Sequence, residues 1–285
     1  MSNGFVLGTL SAIAWGSTDI FVTYVSRRIG FFRTLLLSQF LGVCMLVVIA
    51  IAIDDVPDAS VGQLLALVAV APMGVVAYSG FYRALELGPI AIVSPIVSAN
   101  GAVVVLLALF ILSESLSAVQ AVGCVLVLGS IILAALEPRA VIEQAGAGSG
   151  VRLAVVASLA FGGYLFGMAV LSEDLGWLVP ILVTRTVTVA VLATVELAGR
   201  LPKAGRGGGR AVLACLAGGL LDASGYLAFN RGAEIGEVAL TGAAASAYPV
   251  IPIVWGLLAL RERVAGHQLV GVAGVVAGMV VLSLG

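Results

Sequence analysis

Long apolar runs alternate with short polar connections along almost the whole chain. A helix that crosses a bilayer needs about 20 predominantly apolar residues, and ten runs of this kind can be marked. They lie near 4–25, 31–53, 62–83, 90–112, 118–136, 151–171, 177–198, 211–231, 237–260 and 265–284. The pattern predicts an all-α integral membrane protein with ten transmembrane helices.

The longest polar stretch, 137–150, divides the chain nearly in half. It is rich in Gly and Ser, which is typical of a flexible linker. We therefore expect a first five-helix repeat over 1–136, a linker over 137–150, and a second five-helix repeat over 151–285.

Fixed offsets relate the two halves, which is the mark of an internal repeat. A shift of 146 places Trp15 on Phe161 and Gly30 on Gly176. A shift of 148 pairs Tyr78 with Tyr226, Phe81 with Phe229, Arg83 with Arg231, Glu86 with Glu234, Glu114 with Glu262, and Gln120 with Gln268. Because each half has an odd number of helices, the second repeat is expected to be inverted in the membrane. Inverted repeats place a substrate site near the midplane and alternate its access by rocking.

Composition excludes several classes of protein. The chain is 61% hydrophobic and 10% charged, whereas soluble domains carry about 25% charged residues. A net charge of −1 gives no indication of nucleic-acid binding. Cys44, Cys124, Cys215 and the single His267 show no metal-ligand spacing. We find no catalytic or nucleotide motif, so we expect neither an enzyme nor a cofactor, and transport would use an ion gradient or the substrate's own gradient.

Three charged residues fall inside the apolar runs: Asp19, Arg185 and Asp222. A charge at the bilayer centre costs roughly 2.5–3.5 kcal/mol, so such residues face the protein interior or a cavity. They are candidates for binding a substrate, zwitterions included, or protons. The alternatives are a structural ion pair between Arg185 and one aspartate, or an Arg185 that extends toward the headgroups.

Aromatic and polar residues recur four positions apart, which places them on one helix face. Such a face suits the lining of a cavity, and the alternative is an aromatic belt at the membrane surface. The candidate substrate-binding residues in these stripes are Trp15 with Asp19, Tyr78 with Tyr82, and Asp222 with Tyr226 and Asn230.

The fourth and ninth runs both contain helix-breaking and polar positions. Interruptions at corresponding places in two halves are the best sequence pointer to a transport site. Simple curvature or close packing of small residues is the alternative. We expect hinges at Pro95, Gly101, Pro249 and Pro252, and binding residues at Ser98, Asn100 and Tyr248.

The short turns hold further charges. Glu114 and Glu262 are expected to cap a neighbouring helix N-terminus, where negative charge is favourable, with a gating role as the alternative. Twelve of the fourteen Lys and Arg residues lie in connections after odd-numbered runs. Cytoplasmic loops collect Lys and Arg, so this count favours termini outside the cytoplasm.

Several motifs resemble one family. They are Ala14-Trp15-Gly16-Ser17, the segment 81–89, the hairpin turns at 112–114 and 260–263, and the pairs Gln120 with Gly123 and Gln268 with Gly271. Together they resemble the ten-helix EamA-like branch of the drug/metabolite transporter superfamily, although both turns lack the family's Gly. The resemblance implies export or exchange of amino acids or related metabolites, and termini in the cytoplasm, against the charge count.

The favoured interpretation is a secondary transporter in the cell (inner) membrane that exports amino acids. A multidrug exporter, an exporter of sugar- or nucleotide-type metabolites, a non-transporting scaffold and an intramembrane enzyme are the alternatives. The expected partners are a small-molecule substrate, the lipid bilayer and, as a coupling ion, protons. Nothing in the sequence indicates an obligate protein partner.

Overall fold

The structure is a computed structural model that describes residues 3–53, 57–88, 90–135, 148–198, 208–258 and 266–284. Every regular element in these ranges is a helix. In chain order they are α1 Asn3–Ile29, α2 Phe31–Ile53, α3 Val61–Leu87, α4 Ile90–Ser98, α5 Asn100–Ile111, α6 Ala118–Ala135, α7 Gly148–Leu175, α8 Val179–Leu197, α9 Gly209–Glu234, α10 Val238–Ala245, α11 Val250–Leu258 and α12 Gly266–Leu284.

Within the described ranges, eight helical segments are long and apolar enough to cross a membrane. Two of them, Val93–Ile111 and Val238–Trp255, each join a pair of shorter helices. The apolar parts of α6 and α12, Ala118–Leu133 and Leu269–Leu282, are shorter. All ten predicted runs are thus helical in the described residues, but ten crossings stay a prediction because the apolar parts of α6 and α12 fall below the length of a full span.

Several helices extend past the apolar runs that predicted them. Helix α1 continues to Ile29 through Arg27 and Arg28, and α3 continues to Leu87. Hydropathy marks only the apolar part, whereas backbone hydrogen bonding continues into the polar ends. The predicted linker at 137–150 lies mostly outside the described residues, and its last three residues already begin α7.

The two predicted interruptions are present at matching positions. Helix α4 ends at Ser98 and α5 begins at Asn100, while α10 ends at Ala245 and α11 begins at Val250. At both places backbone amides bond three residues back instead of four, as in Ala102 to Ala99 and Ile251 to Tyr248. A tighter turn of this kind within a helix often marks a functional hinge.

The most extensive helix contacts join the two sequence halves. Helix α1 packs along α9, α3 along α7, and α6 along α12. Close glycine contacts recur at matching positions. A Cβ atom added to Gly4 would lie 3.4 Å from the Cα of Gly236, and one added to Gly150 would lie 3.7 Å from the amide nitrogen of Gly88. The halves therefore interleave and do not pack as two separate units.

Matching turns also require glycine. Gly30 and Gly176 both have positive φ angles, of 89° and 67°, a region that costs L side chains energy. They separate α1 from α2 and α7 from α8. Ser113 has a φ of 56° and stands where the resembled motif has Gly, so this turn keeps the left-handed backbone without the residue that favours it.

Glu114 caps a helix of the other half. Its carboxylate accepts hydrogen bonds from the backbone amides of Val238 and Ala239, both at 2.9 Å, which are the first two residues of α10. Glu114 thus caps a helix N-terminus as predicted, but the helix belongs to the other half and is not the next one along the chain. Glu262 lies outside the described residues, as does the side chain of Gln268.

The exposed and buried residues are distributed as a bilayer requires. Phe110 is 81% exposed and Ile51 is 76% exposed, whereas Arg185 is 1% exposed and Asp19 is 2% exposed. Water would favour the opposite distribution. Apolar side chains on the outside and charged ones at the centre identify a multi-pass membrane protein.

Helix α6 offers a matched test of the close packing. A Cβ at Gly123 would lie 2.9 Å from the backbone nitrogen of Leu282 in α12, whereas nothing lies within 4 Å of one at Gly129. Gly123→Ala should lower stability by about 1–3 kcal/mol through overpacking. Gly129→Ala should be neutral or stabilising, since Ala is the better helix former by about 1 kcal/mol. Thermal unfolding of the purified protein in detergent measures both, and a Gly123→Ala variant as stable as the unsubstituted protein would contradict the close contact.

Candidate functional site

A narrow cavity lies at the centre of the bundle, where the two halves meet. Eight of the eleven predicted binding residues line it. They are Trp15 and Asp19 of α1, Tyr78 and Tyr82 of α3, Asn100 of α5, Asp222 and Tyr226 of α9, and Tyr248 of the turn between α10 and α11. The lining also includes five residues that the sequence analysis did not propose as binding residues, Thr18, Phe81, Val97, Phe161 and Leu165.

The aromatic rings around the cavity repeat with the offsets found in the sequence. Trp15 contacts Tyr226 with ring centroids 4.9 Å apart, and Phe161 contacts Tyr78 at 5.0 Å. Trp15 lies 5.9 Å from Phe229, and Phe161 lies 6.0 Å from Phe81. Edge-to-face and tilted pairs of this kind each stabilise by about 0.5–1.5 kcal/mol. Tyr78 and Tyr226 are 3% exposed, which favours the cavity interpretation over the aromatic belt.

Arg185 of α8 forms a buried ion pair beside the cavity. Its Nη2 donates to Asp222 Oδ2 at 2.7 Å and to the Tyr78 hydroxyl at 3.2 Å. The Tyr78 hydroxyl in turn donates to Asp222 Oδ2 at 3.2 Å. Arg185 itself does not line the cavity. The structural ion pair foreseen as an alternative is present, and it involves Asp222 and not Asp19.

Helix α2 provides the space that Arg185 occupies. A Cβ at Gly42 would lie 2.3 Å from Arg185 Nη1, so the guanidinium rests directly against this backbone. Gln39, one turn earlier and fully buried, lies beside Asp222 without a well-formed hydrogen bond to it. Nε and Nη1 of Arg185 also lack partners within the described residues. Gln39 stands at the position equivalent to Arg185 under the shift of 146, a relation that could have identified it in the sequence.

Asp19 belongs to a second polar group on the cavity wall. It accepts a hydrogen bond from Ser94 Oγ of α4 at 2.5 Å. The Tyr248 hydroxyl donates to the Ser94 carbonyl at 3.4 Å, so the group includes the turn in the opposite half. No Lys or Arg within the described ranges forms an ion pair with Asp19.

Two predicted binding residues lie away from the cavity. The Ser98 hydroxyl donates to the Pro95 carbonyl at 2.9 Å, which stabilises the end of α4. The Asn230 amide nitrogen donates to the Trp177 carbonyl at 3.1 Å, which ties α9 to the start of α8. Both side chains donate hydrogen bonds to backbone carbonyls near helix termini. The periodic pattern that selected these residues does not report such bonds.

The four predicted hinge residues occupy different environments. Pro95 lies inside α4 and Pro252 inside α11, and only Pro249 belongs to an interruption. Gly101 lies in α5, where a Cβ would be 2.3 Å from the Cβ of Ser246. The absence of a side chain at Gly101 therefore lets the two interrupted helices approach each other.

The cavity has a volume of about 40 Å³. A single water needs about 10–15 Å³ of such space, so the described conformation has room for roughly three waters. A metabolite of amino-acid size enters only when the walls separate.

A bundle of apolar helices that encloses a polar and aromatic cavity between two related halves defines a membrane transporter of small molecules. Comparison with protein families agrees. The EamA-like transporter family matches residues 2–136 and again residues 148–284. The chain belongs to this family, which confirms the resemblance drawn from the sequence motifs and gives one family unit to each half.

Solved structures share the fold. Among 29 matching chains, one described as "Crystal structure of protein" superposes with a TM-score of 0.76 at 18% identity, and the match covers 99% of both chains. At this identity the likeness concerns the fold alone. A search of curated proteins found no match.

The ion pair can be tested by a double-mutant cycle. Arg185→Gln or Asp222→Asn alone leaves a buried charge unpaired, and each should destabilise by about 3–5 kcal/mol. The double variant removes both charges, so its loss of stability should be much smaller than the sum of the two single losses. The free energy of unfolding in detergent is measured for all three variants.

The partly exposed pair of Arg33 with Glu196, at 3.3 Å and with side chains 36% and 30% exposed, is the control. Breaking it should cost under about 1 kcal/mol. Strictly additive effects of the two substitutions at Arg185 and Asp222 would show that the charges do not depend on each other.

Proposed function

We propose that this protein is a secondary transporter that moves small metabolites across the inner membrane by alternating access to the central cavity. One observation carries the proposal: the cavity is lined from both family units and lies beside interruptions at matching positions of both. Backbone left unpaired at membrane depth is tolerated where it is buried in protein or lines a cavity. A scaffold has no need for such a pair of interruptions.

The proposed topology is an inverted repeat with ten crossings. The matching contacts support it, because Gly4 with Gly236 and Gly150 with Gly88 each bring the start of the first helix of one unit against the end of the third helix of the other. Residues Gly4 and Gly150 begin α1 and α7, whereas Gly88 and Gly236 follow the ends of α3 and α9. Five crossings in each unit place these two contacts at opposite faces of the membrane.

Interleaved packing restricts which parts move. Rocking of one whole half against the other would separate α1 from α9, α3 from α7 and α6 from α12, which have the most extensive contacts among the described helices. We therefore place the movement in the interrupted helices, at Ala99 and at 246–249. The connection from these turns to the cavity runs through Tyr248 and Asn100, which line it.

Amino acids are the substrate class implied by the family resemblance. The ammonium group of an amino acid would pair with Asp19, and its carboxylate would need Arg185 to leave Asp222. Export is the direction that the resemblance implies.

Transport in liposomes tests the proposal. Purified protein should move at least one member of a labelled panel of amino acids, amines, sugars and cationic drugs faster than protein-free liposomes. Asp19→Asn should reduce that flux by about tenfold or more, since it removes the unpaired charge of the cavity. Asp58→Asn, at an exposed connection, should leave it unchanged. A correctly folded protein that moves none of the panel would favour the scaffold alternative.

Protons are the proposed coupling ion. Asp19 is a buried carboxyl that forms no ion pair within the described ranges, so a proton and a substrate can occupy it in turn. An imposed pH gradient across the liposome should accelerate flux in the unsubstituted protein. It should have no such effect in Asp19→Asn, which carries no ionisable group there. Flux that ignores the gradient in both proteins would exclude proton coupling through Asp19.

A further inference from the structure

We infer that the central cavity selects a single positive charge, and that the substrate is a compact organic monocation such as a primary amine and not a zwitterion. This inference rests on the proposed transport function and narrows its substrate class. It departs from the amino-acid class, which requires a free cationic contact as well as an anionic one.

The charges around the cavity are not balanced. Of the three intramembrane charges, Arg185 and Asp222 neutralise each other across 2.7 Å. Asp19 receives a hydrogen bond from Ser94 but meets no Lys or Arg in the part of the chain that the structure describes. A buried carboxylate requires either a proton or a partner of opposite sign. A cationic ligand supplies such a partner.

Arg185 is not available to a carboxylate group. Asp222 lines the cavity whereas Arg185 does not. Nη2 of Arg185 is held by Asp222 and Tyr78, and Nη1 faces Gly42 of α2. The carboxylate of an amino acid would instead share the cavity with Asp19, whose charge no Lys or Arg in the described residues offsets. Placing like charges together in this way weakens binding.

The aromatic walls favour the same ligand. Trp15 lies one turn before Asp19 on α1, and its ring centroid lies 4.9 Å from that of Tyr226 and 6.4 Å from that of Tyr248. A cation is attracted to the electron-rich faces of such rings, most strongly to that of Trp. The carboxylate and the aromatic rings thus recognise one charge together.

The charge of Asp19 has no counterpart at the equivalent position of the second unit. The rings of Trp15 and Phe161 occupy equivalent positions, and so do those of Tyr226 and Tyr78. The position equivalent to Asp19 is Leu165, which lies on the same cavity. One side of an otherwise matching aromatic frame therefore carries the negative charge, and a ligand with one cationic end and one apolar end fits this arrangement.

Three compounds with one framework test the inference: 2-phenylethylamine, phenylalanine and 3-phenylpropionate, which carry a positive charge, both charges and a negative charge. Binding is measured by thermal shift of the full chain in detergent, and flux in liposomes. The amine should bind about tenfold or more tightly than phenylalanine, because it lacks the repelled carboxylate. Phenylpropionate should not bind.

Substitutions connect the preference to the named residues. Asp19→Asn should remove the preference for the amine, and Asp19→Glu should retain it. If Asp19→Asn does not fold, Trp15→Phe and Trp15→Leu replace it. The first keeps a ring for the cation and should retain the preference, whereas the second should weaken amine binding. Asp58→Asn, away from the cavity, should behave as the unsubstituted protein.

The outcomes separate this inference from the proposed function. Tighter binding or faster flux of phenylalanine than of the amine overturns the monocation class and leaves transport standing. The monocation class is also overturned if another panel member is transported and no amine is either bound or transported. A preference for the amine that survives both Asp19→Asn and Trp15→Leu overturns the assignment to this site. Flux of no compound at all, from folded protein, removes the proposed function itself.

Discussion

The centre of the molecule depends on one ion pair, between Arg185 and Asp222. Either charge alone would be costly at membrane depth, and the pair brings three helices together: α8 and α9, which carry it, and α3, whose Tyr78 bonds both. Gly42 on α2 leaves room for the guanidinium. The pair therefore fixes the relative positions of four helices around the cavity and leaves Asp19 as the one lining charge that no described Lys or Arg neutralises.

The two family units share an aromatic frame but not their charges. Trp15 and Phe161 occupy equivalent positions. Their ring-centroid distances are 4.9 Å and 5.0 Å to the equivalent tyrosines, and 5.9 Å and 6.0 Å to the equivalent phenylalanines. Arg185 corresponds instead to Gln39, and Asp19 to Leu165. Duplication thus supplies the shape of the site, and substitution at a few positions supplies its chemistry. A site at the meeting point of two similar units needs this difference to bind a ligand whose two ends differ.

Interleaving of the units affects the mechanism as well as stability. Because α1 packs on α9 and α3 packs on α7, a unit defined by sequence is not a unit that moves. The tight turns near Ala99 and Tyr248 are the parts with fewer regular backbone bonds, and both adjoin the cavity. Glu114, which caps α10 from the other unit, connects the first of these interrupted segments to the second.

Hydropathy and the internal offsets were enough to predict the helical class, the runs that become helices and the two related units. The same reasoning found the paired interruptions and most residues of the cavity, since Trp15, Asp19, Tyr78 and Tyr226 stand out as polar or aromatic against an apolar background. These properties are local or periodic, so a single chain displays them.

Only the tertiary structure decided which groups meet. It paired Arg185 with Asp222 and not with Asp19, and it directed Ser98 and Asn230 to backbone carbonyls away from the cavity. It also brought Ser94 to Asp19 and Leu165 to the cavity wall. Such choices depend on distances of a few ångströms between helices that are far apart in the chain, and spacing along one helix carries no information about them.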